Sequence, residues 1–511
     1  MDIGGISPVA TVLLSCLVSF LGYRCLICVF TAWREVKRIL HIRRTLPGPK
    51  PHWLFGNVLQ QPGPLTPGLE WHRNMAKTYP RLHVFWAGWK PVVGLNHPDS
   101  IRKILTDSVG TVKSSLYGLF EEWLGRSMPL TDGYLWKRHR KLITGTFHFN
   151  ALKNNIPKIN QVAETLVSVI AQRCEEGKPL EVYKSMSSFS SDVILQCAFS
   201  YKSDCQKVES QFVQSSHSLT DIIAKRYRCK TETRSPVLPF EFIFRRSSLY
   251  KPWRKGINVL HEYIEKIISE RREEHKTRGS NLEYFKGMDL LDTVMLSKDS
   301  EGGLTDEEIR DEANTFLLAG IDTTSSALTW LLYLLATHPE YQTKVQEEVD
   351  ELFKDRTNRE IYSDDLRNTP FLLKCIKESQ RIYSTIAPGR LLTEPLVVDG
   401  LTVPAGTEIT IYTYQLHHNP DVWGDDLMEF KPSRFDRENV ESRDAFAFIP
   451  FSAGARNCIG QHFALQEMQI AAIRMFDKFG FTLLQDSIPV FRLVSTPQDE
   501  ILLGIHPRNE E

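Results

Sequence analysis

The segment 451–461, FSAGARNCIGQ, surrounds one of the nine cysteines of this chain with glycines and an arginine. Cys458 lies between Gly454 and Gly460, and Arg456 precedes it by two residues. An isolated cysteine in a turn is most often a small, buried apolar residue. That interpretation explains the cysteine but not its neighbours. The segment is therefore a candidate site, and the rest of the chain has to decide between the two interpretations.

A long buried helix is the best-defined element that the sequence predicts. Thr305 and Glu308 have the spacing of a capping box at its start, and the helical pattern ends near residues 338–339. At about 1.5 Å per residue, such a helix is roughly 50 Å long. Residues 316–335 are apolar almost all round, which predicts a helix that crosses the middle of the protein.

Polar residues interrupt the centre of this helix, which reads AGIDTTSS. Inside a helix a glycine costs about 1 kcal/mol relative to alanine, and a buried aspartate costs more unless it is paired or protonated. Gly320, Asp322 and Thr323 therefore need a compensating role. Two interpretations stay open at this point: the hydroxyl groups bond back to carbonyls one turn earlier, or these residues have a function.

A charged pair and a group of short strands follow the long helix. Glu378 and Arg381 in KESQR share one helical face, where an ion pair forms easily, although such a pair usually lies on the surface. Residues 396–411, LVVDGLTVPAGTEITI, alternate in polarity and contain Asp-Gly and Ala-Gly turns, which predicts an antiparallel hairpin. Helices dominate, so the predicted fold class is mainly α with small β-sheets.

The composition excludes several classes of function. Lysine plus arginine and aspartate plus glutamate both number 62, so the charge favours no nucleic acid as a partner. An odd number of cysteines without regular spacing favours a reducing compartment over a disulfide framework. Cys25 and Cys28 form one CxxC, but they lie in an apolar run without a second pair, so a zinc site lacks its ligands.

The N-terminal residues predict a membrane anchor. Residues 6–33 carry a single charge, Arg24, over a length that suits a membrane helix. Basic residues follow this run and do not precede it, which favours a single-pass anchor over a cleaved signal peptide and places the rest of the protein in the cytosol. A buried core helix is the alternative interpretation.

The predicted organisation has three parts. Residues 1–33 are the membrane anchor, residues 34–51 are a basic flank with a proline-rich hinge, and residues 52–511 are one large domain. The hinge reads LPGPKP, and its closely spaced prolines forbid a helix and predict a stiff extended connector.

The helix with AGIDTT, the segment KESQR and the segment FSAGARNCIG stand in this order along the chain. In this respect the chain resembles the cytochrome P-450 superfamily of haem-thiolate monooxygenases, from the proline hinge to the C-terminus. The resemblance also includes FKPSRF at residues 430–435 and LWKRHRKL around Trp136. Longer stretches, such as GTFHFNALK from Gly145 and FIPFSAGARNCIGQHFA from Phe448, are most similar to family four, the fatty-acid ω-hydroxylase branch.

The resemblance implies that Cys458 is the thiolate ligand of the iron of a haem b. A thiolate favours cleavage of the O–O bond but is easily protonated, so its loop must be narrow and must present backbone N–H groups. Gly454 and Gly460 would let the loop pass close under the porphyrin, and Phe451 would shield the sulfur. The family pattern implies four partners for the buried haem propionates: Arg456, Trp136, Arg140 and Arg390.

On the other side of the haem, the resemblance implies that Gly320 leaves room for O2. Asp322 and Thr323 would form an acid–alcohol pair that relays protons to it. The family also implies that Glu378 and Arg381 join Arg434 in a structural ion triad behind the haem.

The implied activity is a monooxygenase that inserts one atom of O2 into a C–H bond of a lipophilic substrate, with medium- or long-chain fatty acids favoured. The chain has no GxGxxG motif, so the electrons of NADPH would arrive through NADPH-cytochrome P-450 reductase, with cytochrome b5 as a second donor, at the endoplasmic reticulum membrane. The alternatives are a monooxygenase of xenobiotics or other lipids, a hydroperoxide isomerase, and a haem sensor or lipid carrier without enzymatic activity.

Two further expectations concern single positions. Many family-four members have a glutamate that forms an ester with the haem one residue before the glycine of the long helix, and this chain has Ala319 there. The haem would therefore be held without a covalent bond. On the helix of Trp136, we expect Lys137, Arg138 and Lys141 to point to solvent, where an acidic reductase could dock.

Overall fold

The computed structural model describes residues 8–62, 66–106, 112–232, 240–278, 288–384, 387–492 and 494–508. Most of them are helical, as the sequence predicts. The α-helices are α1 (Pro8–Thr45), α2 (Thr66–Thr78), α3 (Pro98–Thr106), α4 (Glu121–Leu124), α5 (Gly133–Thr144), α6 (Phe149–Glu175), α7 (Val182–Phe199), α8 (Gln211–Glu232), α9 (Phe240–Phe244), α10 (Tyr250–Arg278), α11 (Leu290–Leu296), α12 (Asp306–Thr337), α13 (Pro339–Phe353), α14 (Pro370–Ile382), α15 (Thr413–His417), α16 (Pro420–Trp423), α17 (Arg437–Ser442) and α18 (Gln461–Lys478).

The strands are short and form small sheets. They are β1 (Leu82–Ala87), β2 (Lys90–Leu95), β3 (Leu180–Glu181), β4 (Lys298–Asp299), β5 (Gly302–Gly303), β6 (Gly389–Leu391), β7 (Leu396–Val398), β8 (Leu401–Val403), β9 (Glu408–Ile411), β10 (Phe479–Gln485), β11 (Pro489–Phe491), β12 (Ser495–Pro497) and β13 (Leu502–Pro507). The largest sheet has the order β1-β2-β9-β6, and β10-β13-β3 form a second sheet. Mainly α with small β-sheets is therefore the observed fold class.

The predicted hairpin is present only in its first half. Strands β7 and β8 pair antiparallel around Asp399 and Gly400, which have the positive φ values of 50° and 77° that a tight hairpin turn favours. Strand β9 does not continue this hairpin, because it pairs with β2 in parallel and with β6 antiparallel. The alternation of the sequence is local, whereas the choice of a pairing partner is made by the tertiary fold.

Helix α12 crosses the larger hydrophobic core of the protein. Its capping box is formed as the sequence predicts: Thr305 Oγ1 accepts from the N–H of Glu308 at 3.2 Å, and Glu308 Oε2 accepts from the N–H of Thr305 at 2.9 Å. Most of its residues from Ile309 to Leu335 are buried. Helices α7, α10, α14 and α18 pack around it, so α12 is the central helix of the fold.

The ion pair of KESQR is buried rather than exposed. Arg381 Nε donates to Glu378 Oε2 at 2.7 Å, and both side chains are inaccessible to solvent. Arg434 Nε lies 3.3 Å from Glu378 Oε1. These three residues form the predicted triad, and the interpretation as a solvated surface pair is wrong because α14 packs against the turn that carries Arg434.

Helix α1 is long and apolar enough to cross a membrane, and its apolar side chains, among them Leu17, Phe20 and Phe30, are exposed. It does not end at the predicted anchor boundary of residue 33 but continues to Thr45. The basic flank is therefore helical in its larger part.

The C-terminal end of α1 is docked on the rest of the folded protein. Arg38 Nη1 donates to the carbonyl of Gly406 at 2.6 Å, and Ile42 is completely buried. The predicted hinge is attached as well, because the carbonyl of Pro47 accepts from the N–H of Val84 in β1 at 2.8 Å. The connection between the anchor and the domain is a packed junction and not a free linker.

Candidate active site

The side chain of Cys458 is accessible to solvent. Among the cysteines after α1 that the structure describes, only Cys458 has an exposed side chain, whereas Cys197, Cys205 and Cys375 are buried. The sulfur lies in a recess, where desolvation raises the pKa of the thiol. The N–H of Gly460 and the guanidinium of Arg140 act in the opposite direction and favour the thiolate. The interpretation of Cys458 as a buried apolar residue is therefore wrong.

The backbone of the loop around Cys458 packs closely against Leu105, which explains one of its two glycines. Gly454 has a φ of 71°, and a Cβ atom on it would lie 1.7 Å from the carbonyl oxygen of Leu105. The N–H of Cys458 donates to the carbonyl of Phe451 at 2.9 Å, which closes the loop. At Gly460 a Cβ atom would make an ordinary contact of 3.8 Å with Phe147, so no contact among the described residues requires this glycine.

Arg456 is buried and faces the loop before α5. Its Nη2 donates to the carbonyl of Thr131 at 2.8 Å and to Asp132 Oδ1 at 2.6 Å. The guanidinium also lies 4.0 Å from the centre of the Trp136 ring. Burial lowers the pKa of Arg456 to about 10.

Arg140 contacts the same loop from α5. Its Nη1 donates to the carbonyl of Asn457 at 3.0 Å, and its Nη2 donates to Asn457 Oδ1 at 2.8 Å. Trp136, four residues earlier on the helix, is buried under Arg456. The sequence therefore placed both side chains correctly on one face of α5, next to the cysteine loop.

Arg390 completes a group of cations at this recess. Only 1% of its surface is accessible, and its Nη1 donates to the carbonyl of Gly389 at 2.9 Å. Its buried Nε has no hydrogen-bond partner among the described residues. A buried guanidinium with a free N–H group suits an anionic ligand, because an unsatisfied buried donor is costly.

Lys113 and Tyr117 belong to this group, although the sequence did not predict them. The amine of Lys113 lies 4.4 Å from the centre of the Tyr117 ring. Burial lowers the pKa of Lys113, and Arg390 and Arg456 lower it further. The phenol of Tyr117 has a lowered pKa although burial opposes it, because Lys113 and Arg390 stabilise its anion. The only signal in the sequence was the spacing of three residues between a lysine and a tyrosine, which is too common to be specific.

The centre of α12 exposes three residues within an otherwise buried helix. Ala319 is exposed and Gly320 and Thr323 are half-buried, whereas the residues on both sides of them are buried. An accessible face in the middle of a core helix borders an internal cleft. Thr323 Oγ1 donates to the carbonyl of Ala319 at 2.7 Å, so the hydroxyl bonds back one turn and still faces the cleft.

Gly320 has a packing role that the sequence analysis did not predict. A Cβ atom on Gly320 would lie 2.7 Å from Cγ1 and 2.8 Å from Cδ1 of Ile194 in α7. The glycine therefore allows α7 to approach α12 closely. This differs from the expectation that the missing side chain leaves room for O2, because the Cβ position points at another helix.

The side chains of Asp322 and Thr323 have different surroundings, although the two residues are adjacent in the chain. Asp322 is only 2% accessible and faces Thr220 of α8, with Asp221 and Arg492 nearby. Burial raises the pKa of Asp322 to about 7. Successive residues of an α-helix point about 100° apart, so the two side chains point in different directions, and their joint role in proton relay stays a prediction.

One aromatic ring connects the cysteine loop with α12. The ring of Phe147 would lie 3.8 Å from a Cβ atom added to Gly460. The same ring stacks on Phe316, with the ring centres 5.7 Å apart. Phe316 is one helical turn before the accessible face of α12. The two halves of the candidate site therefore belong to one packed unit, with the cations beside them.

The outer face of α5 differs from the expectation at one position. Lys137 and Lys141 are exposed, as predicted. Arg138 is not free, because its Nε donates to Asp299 Oδ2 at 2.9 Å and its Nη2 donates to the carbonyl of Gly302 at 3.1 Å. The hairpin of β4 and β5 binds this arginine, so the expectation that Arg138 points to solvent is wrong.

Comparison with known proteins identifies the family of the chain. The family model described as Cytochrome P450 matches residues 46–505.

The chain belongs to the cytochrome P450 family.

Its similar relatives include leukotriene-B4 omega-hydroxylase 3 of Mus musculus, which is 36% identical over 471 residues that cover 89% of this chain and 87% of the relative. Cytochrome P450 4F12 of Homo sapiens is 36% identical over 498 residues, which cover 93% of this chain and 92% of the relative. As a cytochrome P450, the protein is a monooxygenase that uses O2, a non-covalently bound haem b with a cysteine thiolate as iron ligand, and electrons from NADPH through a redox partner.

The residues of the recess fit such a haem. A haem has one iron that takes a thiolate and two propionates that need cations, and the recess offers an accessible thiol together with buried cations that lower the pKa values of one another. The Nε of Arg390 is a buried donor that has no partner among the residues that the structure describes.

Proposed function

We propose that this cytochrome P450 is a membrane-anchored enzyme that hydroxylates medium- or long-chain fatty acids, both at the terminal carbon and within the chain. One oxygen atom of O2 enters a C–H bond, and the other leaves as water with two protons and two external electrons. The observation that carries the proposal is the accessible Cys458 with Arg140 and the N–H of Gly460 near its sulfur. The name of the mouse relative supports a lipid substrate and ω-hydroxylation.

Each residue of the site has a proposed role. Cys458 is the ligand of the haem iron, and the bound haem supplies the activation of O2. Arg456, Trp136, Arg140 and Arg390 hold the propionates, together with Lys113. Thr323 holds a proton at the cleft side of α12, where its hydroxyl is accessible. Asp322, whose pKa is about 7, can hold or release a proton near neutral pH on the α8 side of the helix.

The electron donor that we propose is NADPH-cytochrome P-450 reductase, with cytochrome b5 as a second donor. Lys137 and Lys141 are exposed on the helix whose other face contacts the cysteine loop, which supports docking of an acidic partner there. Replacing Lys137 and Lys141 by glutamate should slow reduction of the haem at low ionic strength without changing substrate binding. Equal reduction rates of variant and wild type at all ionic strengths would contradict this docking surface.

The proposed location is the endoplasmic reticulum membrane, with the catalytic domain in the cytosol. The apolar helix α1 and the basic residues after its apolar part support this orientation. Protease treatment of intact microsomes should digest the catalytic domain, and protection of the domain would contradict the orientation.

Ala319 separates this protein from the family-four members that bind haem covalently. The side chain is exposed to the cleft, so a carboxylate at this position would be able to face a bound haem, but an alanine forms no ester. Acidic organic solvent should therefore extract all the haem. In Ala319→Glu, a fraction of the haem that grows with turnover should stay on the protein, and we expect the products to shift towards ω-hydroxylation.

The experiment that tests the function is incubation of the purified protein and reductase with a panel of fatty acids, followed by mass spectrometry of the hydroxylated products. We expect products that require NADPH and O2. Products only from xenobiotics or other lipids would change the substrate class, and rearranged hydroperoxides formed without reductase would identify an isomerase. Bound haem without any turnover would support a sensor or carrier.

The ligand assignment has its own spectroscopic test. The reduced carbon monoxide complex should show the red-shifted Soret band of a thiolate haem, and Cys458→Ala should lose it. An unchanged band in Cys458→Ala would contradict the assignment.

A further inference from the structure

Arg456, one of the cations proposed to bind the haem propionates, contacts a loop whose opposite side contacts α12. This loop, residues 125–132, joins α4 to α5. On the site side, Arg456 donates to the carbonyl of Met128 at 3.4 Å, to the carbonyl of Thr131 at 2.8 Å and to Asp132 Oδ1 at 2.6 Å. The position of the Arg456 guanidinium therefore depends on the position of this loop.

Glu312 of α12 fixes the same loop from behind. Its Oε1 accepts from the N–H of Met128 at 2.6 Å, and the carboxylate is completely buried. Asp311, the preceding residue, accepts from the N–H of Arg126 at 2.8 Å. Gly125 is required for this contact, because a Cβ atom on it would lie 1.9 Å from Asp311 Oδ2.

The carboxylate of Glu312 also fixes α5. Its Oε1 lies 2.7 Å from Nδ1 of His139, which is also completely buried. His139 is adjacent to Arg140 and three residues after Trp136, so it determines how α5 presents both side chains to the cysteine loop. The other ring nitrogen of His139, Nε2, lies 3.4 Å from Oε1 of Glu308. Glu308 also caps α12 through its Oε2.

One carboxylate thus contacts both supports of the cation group. Through Met128 it reaches Arg456, and through His139 it reaches Trp136 and Arg140. Neither Glu312 nor His139 lies on the accessible face of α12 or in the cysteine loop, so neither touches the predicted position of the haem. We infer that Glu312 and His139 are positioning residues. They hold in place the side chains that bind the haem propionates, and they thereby slow the loss of haem.

The test is the rate at which haem transfers from the full-length holoprotein to apomyoglobin. Glu312→Leu removes both hydrogen bonds, and we expect haem transfer at least about tenfold faster than in the wild type, since bonds to a charged group are lost. Glu312→Gln keeps an acceptor oxygen for Met128 and His139, so its rate should stay within about threefold of the wild type.

A matched control separates positioning from general destabilisation. Gln342 is also buried and also makes several hydrogen bonds, to the carbonyls of Leu335 and Phe481 and to the N–H of Phe481, but it belongs to α13 and faces β10. Gln342→Leu should lower the unfolding temperature comparably while leaving the haem-transfer rate nearly unchanged. Equal acceleration in Gln342→Leu and Glu312→Leu would overturn the inference.

A double-mutant cycle tests whether Glu312 acts through Arg456. If it does, Glu312→Leu should accelerate haem transfer much less in an Arg456→Leu background than in the wild type, because the guanidinium that it positions is gone. Effects that multiply would overturn the inference. If Glu312→Leu does not accumulate as folded protein, His139→Leu replaces it in a cycle with Arg140→Leu, because His139 reaches the group of cations through α5. The inference rests on the proposed haem site, whose failure would show separately as an unchanged carbon monoxide band in Cys458→Ala.

Discussion

Gly320→Ala distinguishes a packing role of this glycine from a role in making room for O2. The added Cβ atom would lie 2.7 Å, 2.8 Å and 3.0 Å from Cγ1, Cδ1 and Cβ of Ile194, and all three distances are shorter than ordinary contacts between carbon atoms. Ile194 is buried in α7, so its displacement by the added Cβ atom disturbs the packing between the two helices. We therefore expect that Gly320→Ala forces α7 and α12 apart.

The magnitude follows from two opposing effects. Overpacking of a core costs about 1–3 kcal/mol, whereas alanine is better than glycine inside a helix by about 1 kcal/mol. The free energy of unfolding should therefore fall by about 1 kcal/mol in Gly320→Ala. In an Ile194→Ala background the two closest atoms are gone, so the same substitution should raise the free energy of unfolding by up to about 1 kcal/mol. The coupling between the two positions is then about 2 kcal/mol.

The assay is urea unfolding of the four proteins of this cycle in detergent, followed by intrinsic fluorescence at several protein concentrations. A coupling within about 0.5 kcal/mol of zero would refute the packing argument. If the glycine instead makes room for O2, Gly320→Ala should impair O2 binding to the reduced protein at unchanged stability, and Ile194→Ala should not restore it. The two explanations therefore differ in both readouts.

Three further predictions concern a buried acid, the cysteine loop and the anchor junction. The pKa of Asp322 is raised from 3.8 to about 7 in the folded protein, so the free energy of unfolding of the wild type relative to Asp322→Asn should fall as pH rises. The expected slope is about 1.4 kcal/mol per pH unit up to about pH 7, and the difference should then stay constant. A constant difference between the two proteins from about pH 5 to about pH 8 would exclude this titration. Gly454→Ala should abolish haem incorporation because it adds a clash with the backbone to the strain of a positive φ. Gly177→Ala is the control, since Gly177 has a φ of 65° and no atom within 4 Å of the added Cβ, and it should lower the free energy of unfolding by only about 1–2 kcal/mol. Similar haem content in both variants would show that the clash is relieved. Arg38→Ala should speed tryptic release of the domain from membranes because the contact with the carbonyl of Gly406 is lost, whereas Lys37→Ala should not, and equal rates would contradict a docked junction.

Local patterns in the sequence predicted several features that the structure confirms. The capping box at Thr305 and the apolar pattern after it defined α12 almost to the residue. The Asp-Gly turn predicted the β7–β8 hairpin. These predictions succeed because helix caps, tight turns and helical periodicity depend on residues within a few positions of each other.

The candidate site was only partly predictable from the same patterns. The spacing of Trp136 and Arg140 placed both on one face of α5, and that face meets the cysteine loop. Lys113 belongs to the same group of cations, but it precedes α5 by twenty residues and joins the group through its position beside Arg390. A contact between distant segments leaves no periodic signal in one sequence.

The sequence by itself determined the residue types of the site, the central helix and the anchor, because each of these follows from local composition and spacing. The tertiary structure decided what each polar residue faces. It turned Asp322 towards α8 and away from Thr323, assigned Gly320 to the approach of α7, and buried Glu378 with Arg381. It also docked Arg38 on the domain and joined Glu312 to His139. Adjacent residues on a helix point in different directions, so only the packing of the surrounding helices decides which of them reaches the site.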